Sequence, residues 1–119
     1  MASIYTQAGE ELVVDIIDGT VGTPTYRIGW GTGAGTAAKA DTTLFTEASE
    51  ARPTTTDTQP AADQNQWVAT ITADATKTIT NAGLFDALTG GTLVIHGDFA
   101  GIALNSGDKI EFTIQLEQT

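Results

Sequence analysis

Apolar and polar positions alternate most regularly near the C-terminal end of the chain. Over residues 109–117, Ile110, Phe112, Ile114 and Leu116 fall on one side of an extended backbone, and Lys109, Glu111, Thr113, Gln115 and Glu117 fall on the other. A period of two marks a strand with one buried face, because successive side chains of a strand point to opposite faces. Residues 66–73 repeat the pattern, with Trp67, Ala69, Ile71 and Ala73 against Gln66, Val68, Thr70 and Thr72. Further strands are predicted over 25–31, 77–81 and 92–99, and Leu84 and Phe85 are apolar anchors within 82–87. Gly90-Gly91 and Asn105-Ser106-Gly107-Asp108 are turn signals between them. Short strands separated by regular turns predict an all-β fold, a β-sandwich or jelly-roll-like domain with one or two short helices. Trp67, Ile71, Leu84, Phe85, Ile110, Phe112 and Ile114 are its expected structural core.

The period changes in residues 3–18. Leu12, Val13, Ile16 and Ile17 form two adjacent apolar pairs four apart, which is helical spacing, and Gly19 stands where such a helix would stop. Gly9 weakens the first half, and Val13, Val14, Ile16 and Ile17 fit a buried strand as well, so both readings stay open. A second short helix is expected over 41–51, with Asp41 as N-cap, Leu44, Phe45 and Ala48 on one face, and Pro53 as the stop. Residues 53–64 show no period and read as a polar loop or surface arm.

Length and charge narrow the function. The 119 residues suit one domain. Fifteen acidic against five basic side chains give a net charge of −10. Such a surface repels phosphate backbones and anionic lipid, so neither nucleic acid nor membrane is an expected partner. Cysteine is absent, which excludes disulfides, thiolate metal sites and thiol catalysis. No apolar run approaches the roughly 18 residues of a membrane span, and the N-terminus lacks the basic start and apolar middle of a signal peptide. The expectation is a soluble domain made in the cytosol. Charged residues are only 17% of the chain, and a surface rich in Thr, Ala, Gln and Asn fits a protein packed against neighbours.

Candidate chemistry is sparse. The cluster Gly31-Thr32-Gly33-Ala34-Gly35 follows a predicted strand, but Gly35 is followed by Thr36 and not by the lysine of a phosphate-binding loop. His96 is the only histidine, and none of Ser3, Ser49 and Ser106 stands in a nucleophile-elbow context. A single histidine also disfavours zinc. The carboxylates Glu10, Glu11, Asp15, Asp18, Asp41, Glu47 and Glu50 read as solvated faces, and no calcium-loop spacing is present. Trp30 and Trp67 read as core, with a sugar-stacking shelf as the alternative for both and a subunit contact for Trp30. The expectation is a protein without catalytic residues, cofactor or metal.

Several short pieces, in order, resemble small virion proteins of tailed phages. They are Ile28-Gly29-Trp30-Gly31-Thr32-Gly33; the Thr/Ala-rich stretch 36–43 with Leu44, Glu47 and Arg52; Val68-Ala69-Thr70-Ile71-Thr72; Ile79 to Ala87, which includes Ala82-Gly83-Leu84-Phe85; Gly90-Gly91-Thr92-Leu93; and Phe99 through Leu104 to Asp108. The group includes capsid decoration (cement) proteins and tail-fibre modules. This chain departs from it at Asn81, where an acid is usual, and at His96, where a base is frequent. The resemblance implies a decoration protein, a homotrimer at local three-fold positions that binds the major capsid protein on the outer surface of the virion. A chain of this length favours that over a fibre module, which usually belongs to a longer chain. The alternative it implies is a tail-fibre or tail accessory module that binds host-surface glycans. Residues 1–24 fall outside the shared pieces and read as a docking segment beside a sandwich domain over 25–119. Ile4, Tyr5, Leu12 and Val13, with Trp30, are the expected contacts to capsid or neighbouring subunit.

Overall fold

A computed structural model describes residues 2–117. The two best alternating segments pair with each other. Strands β4 (Gln64–Thr72) and β7 (Lys109–Glu117) run antiparallel, from Gln64 opposite Glu117 to Thr72 opposite Lys109. Strands β5 (Lys77–Phe85) and β6 (Leu93–Leu104) do the same, from Lys77 opposite Leu104 to Phe85 opposite Leu93. The register carries over from one pair to the other: Lys77 faces Leu104 and, five residues earlier, Thr72 faces Lys109. All four strands are therefore one long ribbon, closed at residues 86–92 and bent double at 73–76 and 105–108. Backbone bonds hold the bend, from the Ala73 N–H to the Asp108 carbonyl and from the Gly107 N–H to the Ala73 carbonyl, each 2.8 Å.

Doubling the ribbon lays one half over the other, as in a jelly roll. Strands β1 (Ala2–Tyr5) and β2 (Arg27–Gly31) complete a four-stranded sheet in the order β1-β6-β5-β2, and β3 (Thr56–Ala61) completes a three-stranded sheet in the order β3-β4-β7. We call these sheets A and B. All neighbours are antiparallel, and the result is the expected β-sandwich. Ile28, Trp30, Trp67, Ile71, Ile79 and Leu84 fill the space between the sheets. Of the expected core, Trp67, Ile71, Leu84 and Phe85 are buried. Ile110, Phe112 and Ile114 face inward and pack on the core, yet stay half-buried, because β7 is an edge strand of the smaller sheet. Trp30 meets Phe112 edge-on at 6.2 Å, and Tyr26 tilts onto Trp67 at 5.3 Å.

The N-terminal segment resolves as a strand followed by a helix. The helix α1 spans Gln7–Asp18 and not residues 3–18, because Ala2–Tyr5 pair with β6 as an edge strand of sheet A. Thr6 caps α1, its hydroxyl accepting from the Gly9 N–H at 3.0 Å, and Gly19 ends it in the left-handed conformation at φ 81°. Gly9, poor for helix propensity, lets α1 sit on β6: a Cβ there would lie 2.5 Å from the Val94 carbonyl oxygen. Leu12 packs on the core, whereas Val14 and Ile17 are 62% and 81% exposed.

Two expectations fail in the middle of the chain. Residues 41–51 form no helix. They run as an irregular segment across sheet A, and an isolated bridge joins Glu47 to Gly31. Residues 53–64 are not all loop, since they contain β3. Every residue of that strand is exposed, so it carries no alternating pattern to read. Pro60 is tolerated there because β3 is an edge strand.

Candidate functional site

The outer face of sheet A holds most of the polar structure. Gly29 and Gly83 lie directly opposite each other in the β2–β5 pair, and Gly31 follows opposite Asn81. Their lack of side chains makes a bare floor on which residues 32–53 lie flat. A Cβ on Gly31 would come within 2.5 Å of the Phe45 carbonyl oxygen, and one on Gly83 within 2.5 Å of Leu93 and 3.0 Å of Leu44. Leu44 is buried with Phe85 and Leu93 beneath this segment. The apolar spacing of Leu44, Phe45 and Ala48 therefore reflects one-sided contact with a sheet and not a helix face.

Three polar clusters fasten the segment down. In the first, the His96 ring is fully buried, with Nδ1 2.7 Å from Asp41 Oδ2 and Nε2 3.0 Å from Asn81 Oδ1. The Asn81 amide is oriented by the backbone of Phe45, accepting from its N–H at 3.0 Å and donating to its carbonyl at 3.1 Å. Both ring nitrogens thus lie within hydrogen-bond distance of a side-chain oxygen. Asp41, expected to cap a helix, accepts from the Ala38 N–H at 2.8 Å and holds His96.

Arg52 forms the second cluster and is 5% exposed. Its guanidinium binds Glu47 through two bonds of 2.7 Å and donates from Nη1 to the carbonyls of Ala87 and Gly90 at 3.0 and 2.9 Å. It also stacks on Phe85, 3.4 Å from the ring centre. One side chain thus ties the segment to the 86–92 turn.

The third cluster lies at the bend of the ribbon. Glu50 accepts from Trp30 Nε1 at 2.9 Å, from the Asp74 N–H at 3.0 Å and from Lys77. Lys77 also binds Asp74 at 2.9 Å, and Ser49 donates to Asp74 at 2.8 Å. Burial pushes the Glu50 carboxyl up, but the bonds from Lys77, Trp30 and the Asp74 amide outweigh it and hold the group below its ordinary value. Asp74 is lowered by Lys77 and then by Ser49. For Lys77 burial works downward, and the two carboxylates overcome it and raise the group.

These clusters are scaffolding. The glycine cluster cradles no anion with its Thr32 and Gly33 amides, which donate to the Thr46 and Phe45 carbonyls at 3.0 and 2.9 Å. Glu47 and Glu50, read as solvated, are ion-pair partners, and Arg52, Lys77, Asp74 and Asn81 gain roles that local pattern did not reveal. Lys39, Arg52 and Lys77 form ion pairs with Glu10, Glu47, and Glu50 and Asp74, and the Arg52–Glu47 and Lys77–Asp74 pairs, five and three residues apart, were the nearest thing to a local signal. Among the described residues, no group of three or more His, Cys, Asp or Glu side chains is placed to hold a metal ion.

The expected contact residues are scattered. Ile4 and Tyr5 lie half-buried in β1, and Leu12 and Val13 lie half-buried on α1. Trp30 is 1% exposed with its Nε1 hydrogen bond made, so its side chain offers no surface to a subunit or a sugar. Trp67, at 6%, offers none either. An accessible apolar feature lies elsewhere. It is a groove of ≈ 320 Å³ at the open side of the sandwich, where Ile95, Phe99 and Ile102 of β6 face Phe112 and Ile114 of β7.

A family model described as Podophage GP4 fiber I protein gp80 matches residues 6–118. The chain belongs to this family. The match takes in α1, every strand from β2 to β7 and the glycine floor. No curated protein matches the chain. Membership in the GP4 fiber I family makes it a phage structural protein of fibre type, a component of the virion.

Proposed function

We propose that this chain is a building subunit of a phage fibre, a β-sandwich block that works by fitting other virion chains and transforms no substrate. The match over residues 6–118 to a family described as a fibre protein carries this reading. The use of the polar residues supports it: His96, Arg52 and Glu50, the side chains of most catalytic character, are each engaged in holding residues 32–53 to sheet A. A glycan-stacking role gains nothing from Trp30 or Trp67, which are buried.

The sequence pieces shared with decoration proteins favour a second reading. The same block would sit as a homotrimer on the outer shell, bind the major capsid protein and stabilise the lattice by mass action over many repeated contacts. Gold-labelled antibody on intact virions separates the two. Label on fibres is the expected result. Label over the shell with none on fibres overturns the fibre reading in favour of decoration. Saturable turnover of any compound, abolished by one side-chain change, would overturn both.

A further inference from the structure

The two sides of the sandwich end differently. On one side β2 and β3 finish together. Bridges from Thr54 and Glu47 reach the free edge of β2, and β3 carries Pro60 and a register shift between Thr58 and Ala61. Such devices keep an edge solitary. On the other side the sheets end in a step. The doubled ribbon sets β7 over β6, with the Phe112 and Phe99 rings 6.4 Å apart, so β1 extends one strand past β7 with no strand of sheet B opposite it. The ≈ 320 Å³ apolar groove opens into this step. Among the described residues β1 pairs with β6 alone and β7 with β4 alone, and neither free edge has a proline, a bulge or an inward charge.

A step of four strands over three is complementary to itself. Turned about a two-fold axis that runs along the strands through the step, a second copy brings its four-stranded sheet into line with sheet B and its three-stranded sheet into line with sheet A. The partner's β1 then occupies the empty place beside β7, the partner's β7 lies beside β1, and no strand position is filled twice. Each layer becomes seven strands, with β2-β5-β6-β1 continuing into the partner's β7-β4-β3. The levels along the strands agree. Phe99 lies across from Phe112, so Gly97, which pairs with Ser3, stands level with Ile114, and Ile95, which pairs with Tyr5, stands level with Leu116. Strands β1 and β7 run in the same direction, so the new pairs are parallel. Ser3 lines the groove and Tyr5 packs on the core, as Ile114 and Leu116 do, so inward side chains meet inward ones. Charge permits the contact. A chain of net charge −10 repels its own copies, but the segments that meet, Ala2–Tyr5 and residues 113–116, carry no acidic or basic side chain. The stepped side measures roughly 30 Å along nine residues of strand and roughly 20 Å across two layers. Pairing two such sides buries about 1,200 Å² in total, above the about 1,000 Å² that a specific interface needs.

We propose that the stepped side is an isologous interface at which two copies of this chain interlock, the β1 of each filling the empty place beside the β7 of the other. The two apolar grooves then face each other across the axis and close into one core. This goes beyond the fibre reading and does not rest on it, since its failure shows in the isolated chain and failure of the fibre reading shows on virions.

The absence of cysteine makes the arrangement directly testable. In the pair, Ile4 of one copy and Gln115 of the other stand level on neighbouring strands about 4.8 Å apart, within the disulfide range. Within one copy the same two residues lie in different layers, about 10 Å or more apart, beyond that range. Ile4→Cys and Gln115→Cys should therefore cross-link when mixed under mild oxidation, and neither should do so alone. Light scattering should give twice 12.3 kDa for the unmodified chain. Ser3 is exposed in the isolated chain, so Ser3→Asp spares the fold and sets two carboxylates facing each other across the axis. It should weaken the pair more than about tenfold. Circular dichroism confirms that each variant is folded. An unmodified chain of 12.3 kDa, a three-copy mass, or no cross-link between the mixed cysteine variants overturns the proposal.

Discussion

The two sheets treat their faces differently. Sheet A is covered on both sides, by sheet B within and by residues 32–53 without, so the second half of β5 is buried at consecutive positions. Sheet B is covered on one side only: β7 alternates between half-buried and exposed, and β3 is exposed throughout. The pieces shared with phage virion proteins, Ile28 to Gly33, Leu44 to Arg52 and Ile79 to Phe85, sit largely where sheet A is sealed. They are the means of sealing it. Sheet B's outer face and edges stay open to a partner, as does the outer side of α1 with Val14 and Ile17.

The contrast can be broken from the sealed side. Arg52→Ala should destabilise the protein by about 3 kcal/mol in urea unfolding, since it opens a largely buried ion pair and strips donors from the Ala87 and Gly90 carbonyls. Arg52→Lys should recover little, because an ammonium cannot fork onto a carboxylate and two carbonyls. A loss below about 1 kcal/mol for Arg52→Ala, within the range of exposed pairs, would mean that the segment is held by packing alone. Gly31→Ala should cost about 1–3 kcal/mol as an unfolding midpoint shift with unchanged slope, because its Cβ meets the Phe45 carbonyl oxygen at 2.5 Å.

A smaller effect is expected from pH. Glu50 and Asp74 bind protons less readily when folded than their ordinary values of 4.5 and 3.8. The unfolded chain therefore takes up more protons on acidification, and stability falls as pH drops through this range. The contribution is fully present above pH 4.5 and shrinks below it. Urea midpoints of the unmodified chain and of Glu50→Gln should converge as the pH falls below 4.5. A gap that stays constant would show that the Glu50 carboxylate is not held by its charge.

How much of this was legible in sequence depended on whether an element met the core on one side. Strands β4 and β7 do, and their alternation announced them. Helix α1 carried its own stop in Gly19, although its start was hidden because Thr6 caps it directly after a short strand. Strand β3 meets no core, so only pairing with β4 defines it. Residues 41–51 misled because Leu44, Phe45 and Ala48 are spaced for a helix while a flat glycine floor takes up the same side chains. Asn81 and His96 departed from the familiar pieces, and the structure shows them as partners, in an amide–imidazole contact at 3.0 Å. No local pattern could show that, since the two lie on different strands.

The ribbon's single line of pairing, shifted in register only between Ile79 and Asn81 and between Leu84 and Phe85, bears on how the chain reaches its fold. Once the 86–92 turn closes, every later rung is laid next to one already in place. Each step encloses only a few more free residues, and closure entropy rises slowly with length. The pairing of Gln64 with Glu117, the most distant in the ribbon, then comes as the last tooth of a zipper and not through a search across the chain. Leu84→Ala, near the turn, should slow refolding in proportion to its effect on stability, while Leu116→Ala should act almost wholly on unfolding. Equal partition of the two would mean that the strands condense together.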